Sequence, residues 1–445
     1  MPTTSSPLIS LQAPKDVSIE EIEAELAQLW QNASSDEGLS ATRATTFSFL
    51  VYEPDETQTL LSNLGFYSGP VDGIAGSRTN SAVKAAQASY GLKETGKMTP
   101  KLLEQLQAAW QEKTAAGDHS LPQYSADLSS AGIADAIASS NPCRIITLCP
   151  TAGKDEGISV QVSAYCPVSK RGSSTLVCCE YITLQGTAAA LERISGVITE
   201  LMVPDLPKFA WWKAAPDTEY GLFQRILTEI DTLIVDSSVF HNSEASLQTI
   251  GSILKQGENM ADLNWGRLAP WQELTAAAFD PPDRRATLAE VDQVTINYEK
   301  GNATQALMYL GWLASRMDWT PVSIERESDD YEIHRIQFSD RLQKTINTEL
   351  AGLPMADVGD VVGDLVSLKL TSTNLNVDCC TVLCSETSGC MQMESGGAAQ
   401  SCRIQQVTAL DDQNTEQLLG QQLQRWGKDV LYNESMEKLG QVLAL

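Results

Sequence analysis

Three histidines and ten cysteines carry the strongest intrinsic chemistry in this 445-residue chain, and their spacing decides what they could do. His119, His241 and His334 fall in a linker-like stretch, a loop and a strand-like stretch, and no nucleophile motif accompanies any of them. Side chains in solvent or in ordinary hydrogen bonds account for all three. The cysteines form two groups, Cys143, Cys149, Cys166, Cys178 and Cys179 mid-chain, and Cys379, Cys380, Cys384, Cys390 and Cys402 near the end. The second group reads C-C-x3-C-x5-C-x11-C, without the paired C-x2-C units of zinc ribbons, so no metal set is expected. Cys178 and Cys179 read as small hydrophobes packed in a strand.

Cys384 and Cys390 differ from the rest because they flank a small polar segment, SETSG, between two expected strands. Such a loop can hold its ends within the ~4.4–6.8 Å Cα separation that a disulfide requires. The pair is therefore the redox candidate of the chain, and an exposed loop would leave it open to a thioredoxin-type thiolate.

Phosphate chemistry finds no motif. No G-x-G-x-x-G follows a strand, no G-x-x-x-x-G-K-[ST] exists, and TAGKDEGIS (151–159) has the wrong spacing for a phosphate loop. No G-x-S-x-G elbow is present either. No catalytic residue and no cofactor are assigned. What remains is a set of aromatic and arginine residues of the kind that anchor interfaces: Trp211 and Trp212 in LPKFAWWKA, Trp265, Arg267 and Trp271 in NWGRLAPWQEL, and Arg285 in DPPDRR. Core packing is the competing account of each tryptophan.

Charge narrows the partners. With 31 Lys+Arg against 57 Asp+Glu the formal charge is −26, which argues against nucleic acid and anionic membranes. The opening MPTTSSPLISLQAPKD has no basic start and no apolar core of a secretory signal, and no apolar run approaches the ~20 residues that span a bilayer. A cytoplasmic location, with reduced thiols, is the expectation.

The elements that must position these residues alternate. SIEEIEAELAQLW predicts an amphipathic helix capped by Ser18, with Glu21 closing the box and Ile22, Leu26, Leu29 and Trp30 on one stripe. Strands are expected near 44–52, 143–150, 175–184, 207–214 and 232–238, with helices between them, which predicts an open, mostly parallel α/β sheet. ADLSSAGIADAIASS is expected to form a short helix before the second of these strands. DLNWGRLAPWQELTAAAF, RRATLAEVDQVTINY and ATQALMYLGWLASRM read as helices. YEIHRIQFS, DLVSLKLTST, CCTVLCSE and CRIQQVTAL read as antiparallel strands, and one closing helix runs from about 414 to 443. The resulting division is a discontinuous α/β domain (1–54 and 123–258), a three-helix insert with linker (55–122) and a helical and α+β C-terminal domain (259–445).

Two resemblances follow from quoted stretches. GFYSGPVDGIAGSRTNSAVKAAQASYGL, with its glycine punctuation, turn chemistry and Ala-Val helix, resembles the peptidoglycan-binding-like domain over roughly 55–112. In a chain without a visible export signal that module reads as a spacer or docking insert, and no cell-wall partner is expected. RIITLCP, LPKFAWWKA, DLNWGRLAPWQELTAAAFDPPDRR and ALMYLGWLASRM resemble the glucose-6-phosphate dehydrogenase assembly protein family, OpcA, and the insert and Cys-rich segment are similar to its photosynthetic-bacterial branch. The resemblance implies a non-enzymatic partner that assembles or activates glucose-6-phosphate dehydrogenase. The alternative is an α/β small-molecule binder or enzyme, with a sugar phosphate or nucleotide as ligand.

Overall fold

Residues 8–11, 18–34, 40–43, 45–54, 56–67, 77–115, 142–151, 154–165, 175–240, 242–280, 282–328, 332–354, 361–374, 378–385, 390–397, 403–409 and 415–445 are described by the computed structural model. The chain divides into two compact units, Met1–Ala214 with Thr218–Leu233, and Ala215–Asp217 with Ile234–Leu445.

The first unit carries a mostly parallel α/β sheet. It runs β1 (Leu8–Leu11), α1 (Ile19–Ser34), β2 (Ser40–Arg43), β3 (Ser48–Tyr52), α2 (Thr57–Asn63), α3 (Ser77–Ser89), α4 (Pro100–Ala115), β4 (Arg144–Pro150), β5 (Ser159–Tyr165), β6 (Thr175–Gly186), α5 (Ala188–Arg193), α6 (Ser195–Glu200), β7 (Lys208–Trp212), α7 (Gly221–Leu227) and the start of β8 (Thr232–Val235). The strand order is β1-β5-β6-β4-β3-β7-β8, with β2 also on β6. Four pairings, β3/β4, β3/β7, β4/β6 and β2/β6, are parallel, whereas β1/β5 and β5/β6 are antiparallel. Every residue of the central strand β3 is buried, as expected of an apolar run covered on both faces.

Local signals explain several boundaries. The Glu21 amide donates to Ser18 Oγ at 3.3 Å, the first half of the expected capping box, and Ile22 and Leu26 are buried. The side chains of Leu29 and Trp30 lie outside the described residues. The single helix expected over TAAALERISGVITELM is two, α5 and α6, because the chain leaves helical geometry at Ile194 and Gly196 adds little helix propensity beyond it.

Between β3 and β4 in sequence, α2, α3 and α4 close around Leu60, Leu61, Tyr67, Ala82, Val83 and Leu106. Thr99 Oγ1 accepts the Leu102 amide at 3.3 Å and Pro100 begins α4, the capping arrangement that the sequence predicts. Gln87 Oε1 accepts the amides of Thr95 and Gly96 at 2.8 and 3.0 Å and so pins the α3–α4 turn. The glycine-rich segment 68–76 and the stretch 116–141, which holds His119 and the expected short helix, lie outside the described residues. β3 and β4 are parallel neighbours with Ser48 opposite Arg144.

The second unit combines helices with a mixed sheet. After β8 come a 3-10 turn (Ser237–Val239), α8 (Ser243–Lys255), β9 (Met260–Asp262), α9 (Leu263–Arg267), α10 (Ala269–Phe279), α11 (Pro282–Arg285), β10 (Gln293–Glu299) and α12 (Thr304–Arg316). Then follow β11 (Thr320–Ser328), β12 (Glu332–Ser339), β13 (Thr345–Leu353), β14 (Leu365–Thr371), β15 (Asp378–Ser385), β16 (Cys390–Gly397), β17 (Arg403–Ala409), α13 (Thr415–Gln422) and α14 (Val430–Leu443). The sheet order is β11-β12-β13-β10-β14-β15-β16-β17. β10 and β13 are parallel; the other pairs are antiparallel. α12 is buried from Thr304 to Ala314, and at Gly311 it meets α14 so closely that a Cβ would sit 2.7 Å from the Ser435 carbonyl oxygen.

Three sequence expectations change here. RRATLAEVDQVTINY is not one helix. It passes through a 3-10 turn into β10, where Val294, Ile296 and Tyr298 are buried at alternate positions, the period of a strand. The stretch from Asp262 to Phe279 is two helices, parted at Leu268 with Pro270 in the first turn of α10. The closing helix also breaks, between α13 and α14, and Asp429 caps the restart by accepting the Tyr432 amide at 2.9 Å. Strands β11, β13 and β16 join the four that the sequence suggests.

Candidate functional site

The NWGR motif is built inward. Asp262, the last residue of β9, caps α9: its Oδ1 accepts the amides of Asn264 and Ser237 at 2.9 and 3.0 Å. Asn264 then donates to Ser237 Oγ at 3.1 Å and Thr304 Oγ1 at 3.0 Å, and its own Oδ1 accepts from Gln305 Nε2 at 3.0 Å. Arg267 forks onto Asp236, Nη1 to Oδ1 at 2.8 Å and Nη2 to Oδ2 at 2.9 Å, and reaches Thr415 Oγ1 at 3.1 Å. Asn302 completes the cluster, donating to the Ser237 and Ser238 carbonyls at 3.1 and 2.8 Å and accepting the Thr304 amide at 2.9 Å. The Trp265 indole donates to Asp429 Oδ2 at 3.2 Å, and its ring lies 5.5 Å from that of Tyr432. Gly266 leaves room for Leu418 of α13, since a Cβ there would come within 2.8 Å of the leucine Cδ2.

The electrostatics are those of a closed clamp. Burial works against the Arg267 charge, but Asp236 alongside outweighs it and raises the guanidinium pKa. Burial pushes the Asp262 carboxyl up to about 6, with the charge of Asp236 adding to the shift. Asp262 Oδ2 and the Tyr432 hydroxyl find no hydrogen-bond partner among the described residues. The Arg267 Nη1/Nη2 fork is taken by Asp236, and Nη2 also serves Thr415. The arrangement holds α9, α12, α13 and α14 together.

The other candidates sort by exposure. Trp211 and Trp212 are both buried in β7. Trp212 stacks on Tyr52, its register partner on β3, at 3.8 Å and 5°, and Lys213 sits over the Trp211 ring at 5.0 Å. Trp265 and Trp271 are buried as well, and the Trp271 carbonyl accepts from the Tyr309 hydroxyl at 3.4 Å. Arg285 is exposed, with Nη2 donating to the Asp280 carbonyl at 3.0 Å. Packing within the chain accounts for the four tryptophans and for Arg267.

Cys384 and Cys390 lie on β15 and β16, whose register pairs Cys384 with Met391 and Cys390 with Ser385, so the ladder offsets the two cysteines by one position. Their side chains and the loop 386–389 lie outside the described residues, as do the side chains of Cys178, Cys379 and Cys380 and all of Cys166 and Cys402. Cys143, Cys149 and Cys179 are buried thiols, and burial pushes Cys149 up to about 12. His334 Nε2 lies 3.1 Å from Glu244, which Arg326 also grips at 3.0 Å. The hydrogen bond from His334, followed by Arg326, lowers the Glu244 pKa to about 2. His241 lies outside the described residues.

Two hollows bear on a small ligand. One, of about 150 Å³, lies just past the carboxyl ends of β3 and β7, lined by Glu53, Thr57, Gln58, Thr79, Lys97 and Lys213. That is the edge where open α/β sheets bind ligands, but the volume is below the ~300 Å³ at which ligand pockets begin. Glu53 and Lys213 are an ion pair. The second, about 410 Å³, lies on the C-terminal sheet and includes Arg335, which is bound by Glu327 and Glu349 at 2.6 and 3.0 Å. Among the described residues no group of three or more His, Cys, Asp and Glu is placed to hold a metal, and no helix is long and apolar enough to cross a membrane.

One further residue stands out that no motif in the sequence marks. Trp426, between α13 and α14, is 65% exposed. Its signal was its setting: QRWGKD surrounds the ring with charged residues and a glycine, which a buried helix face does not do.

Comparison with known proteins converges on one family. Residues 134–252 match the model of the glucose-6-phosphate dehydrogenase subunit N-terminal domain, residues 258–436 that of its C-terminal domain, and residues 53–106 a putative peptidoglycan binding domain. A putative OxPP cycle protein OpcA from Synechocystis sp. is 60% identical over 100% of this chain and 95% of its own length. Proteins of the same description from Nostoc punctiforme and Synechococcus elongatus are 54% and 48% identical, each over 98% of this chain and over 95% and 97% of their own lengths. An oxidoreductase structure from Sinorhizobium meliloti covers 88% of this chain and 87% of its own at 8% identity, but its TM-score of 0.37 carries no argument.

Proposed function

The chain belongs to the OpcA family of glucose-6-phosphate dehydrogenase subunit proteins, and from that premise we propose that it is a non-catalytic assembly factor that binds glucose-6-phosphate dehydrogenase and raises its activity. The observation that carries the reading is the match of both subunit domains across residues 134–252 and 258–436. The geometry supports it: the most polar buried cluster spends its guanidinium, amides and carboxylates on one another. Such a partner activates only by binding one state of the dehydrogenase better than another. The test is dehydrogenase kinetics with and without saturating chain. A fall in KM, a rise in kcat or a shift to a larger oligomer is expected, with no turnover by the chain alone; unchanged kinetics and oligomeric state would reject the proposal.

Two finer readings belong to it. The first takes residues 55–122 as an insert in the α/β domain that docks or spaces rather than binds cell wall, in the cytoplasm. Co-sedimentation of the intact protein with purified peptidoglycan would overturn it. The second takes Cys384 and Cys390 as a thiol control point reached by thioredoxin, the oxidised chain activating more than the reduced one. Equal activation by oxidised chain, dithiol-reduced chain, Cys384→Ser and Cys390→Ser would remove it.

A further inference from the structure

We propose that the connection between α13 and α14, together with the first turn of α14, is a protein-docking surface, with Trp426, Val430 and Leu431 as its apolar anchor and Arg425 as its charged flank. Its occupant is the dehydrogenase, through an apolar pocket rimmed by carboxylates. The assignment rests on the function proposed above and adds to it the surface and the chemistry of the partner site.

Exposure is the first observation. Trp426, Val430 and Leu431 are 65%, 62% and 44% exposed, three large apolar side chains within six residues. Single exposed apolar residues are ordinary, but a cluster that includes a tryptophan is what interfaces are made of. Trp211, Trp212, Trp265, Trp271, Trp312 and Trp319 are all buried. The contrast lies within one residue type, so composition does not explain it.

Rigidity is the second. The connection is tied down at several points. Asp429 accepts the Tyr432 amide with Oδ1 at 2.9 Å and the Trp265 indole with Oδ2 at 3.2 Å. Lys428 Nζ donates to the Gly257 carbonyl at 2.6 Å, and Leu418, Leu419 and Leu423 are buried on one side, Tyr432 and Met436 on the other. An exposed indole on a fixed mount loses little freedom on binding, which is how preorganised anchors gain affinity.

Charge selects the occupant. Arg425 is exposed and makes no ion pair among the described residues, and Lys428, whose Nζ donates to the Gly257 carbonyl, adds a second positive group. The carboxylate that follows Lys428, Asp429, has both oxygens engaged. The spot is therefore apolar and positive within a chain of net charge −26. A second copy of the chain brings the same −26 and is repelled as a whole, and an anionic membrane is repelled likewise. An apolar pocket with an acidic rim on a different protein satisfies both features.

The test uses the full chain and purified dehydrogenase, with affinity measured by titration calorimetry and activation by enzyme assay. Trp426→Ala is expected to weaken binding about thirtyfold or more, with circular dichroism and melting temperature unchanged. Trp426→Phe should recover part of the loss. Arg425→Glu should weaken binding several-fold and flatten its dependence on salt. Wild-type chain that binds while Trp426→Ala binds within twofold of it overturns the surface and leaves the proposed function standing. Wild-type chain that shows no binding overturns both. If Trp426→Ala does not fold, Leu431→Ser and Arg425→Glu decide, and wild-type affinity in both overturns the surface. Sedimentation of the chain alone gives a last outcome: a dimer that Trp426→Ala abolishes, with dehydrogenase binding intact, assigns the patch to self-association and rejects the proposal.

Discussion

Trp265 and Trp426 belong to the same unit and both lie near Asp429, the first by a hydrogen bond and the second in sequence, yet they do opposite things. Trp265 is buried, its indole N–H spent on Asp429 and its ring against Tyr432. Trp426, three residues before Asp429, is 65% exposed. One tryptophan builds the mount and the other is carried by it. The difference teaches that a run of aromatic and arginine residues marks importance without saying which kind: the conspicuous motif is structural, and the isolated residue is the one left available.

The comparison breaks most forcefully at Arg267. Replacing it with alanine leaves the Asp236 carboxylate buried without its cation, a loss of about 3–5 kcal/mol by analogy with broken buried pairs. Urea denaturation should show the midpoint fall sharply; a change under ~1 kcal/mol would mean that the clamp does not hold this unit together.

A smaller effect is expected where α12 and α14 touch. Gly311→Ala forces a Cβ to 2.7 Å from the Ser435 carbonyl oxygen, and backbone cannot step aside cheaply. Overpacking of about 1–3 kcal/mol should outweigh the roughly 1 kcal/mol that alanine gains in a helix. A variant more stable than wild type would show that the helices separate without cost.

The pH dependence sharpens the electrostatic half of the contrast. Asp262 ordinarily titrates at 3.8 but at about 6 when folded. Between those values the folded chain holds a proton that the unfolded chain has lost. Its contribution to stability therefore falls as pH rises through that window, and the penalty is complete above about 6. Asp262→Asn should flatten this slope. Glu244 runs the other way. Its folded value of about 2 lies below the ordinary 4.5, so its stabilisation is present above 4.5 and lost as pH falls toward 2. Denaturation curves at several pH values for wild type, Asp262→Asn and Glu244→Gln separate the two.

The smallest effect on stability is expected at Trp426. Its substitution by alanine should change unfolding free energy by no more than about 0.5 kcal/mol, as for exposed sites in general. A loss of several kcal/mol would place Trp426 with the mount and end the contrast.

Much of this architecture was legible along the chain because its signals are local. The Ser18 cap, the Thr99–Pro100 start of α4 and the buried run of β3 depend on residues a few positions apart. Alternation of strands and helices is local too, and it led to the mostly parallel sheet of the first unit. The family was legible for the same reason: long distinctive stretches such as NWGRLAPWQEL are read without knowing where they fold. Only tertiary structure decided what those stretches do. Arg267 meets Asp236 across 31 positions, and Trp265 meets Asp429 across 164. Neither pairing has a periodicity to announce it. β10 reads as helix in the sequence because its apolar residues continue the helical pattern before it. The sheet that buries them assembles from β13 and β14, more than 40 residues further on. Burial is a property of the assembled chain, so the exposure that separates Trp426 from Trp265 exists only once the helices around them have packed.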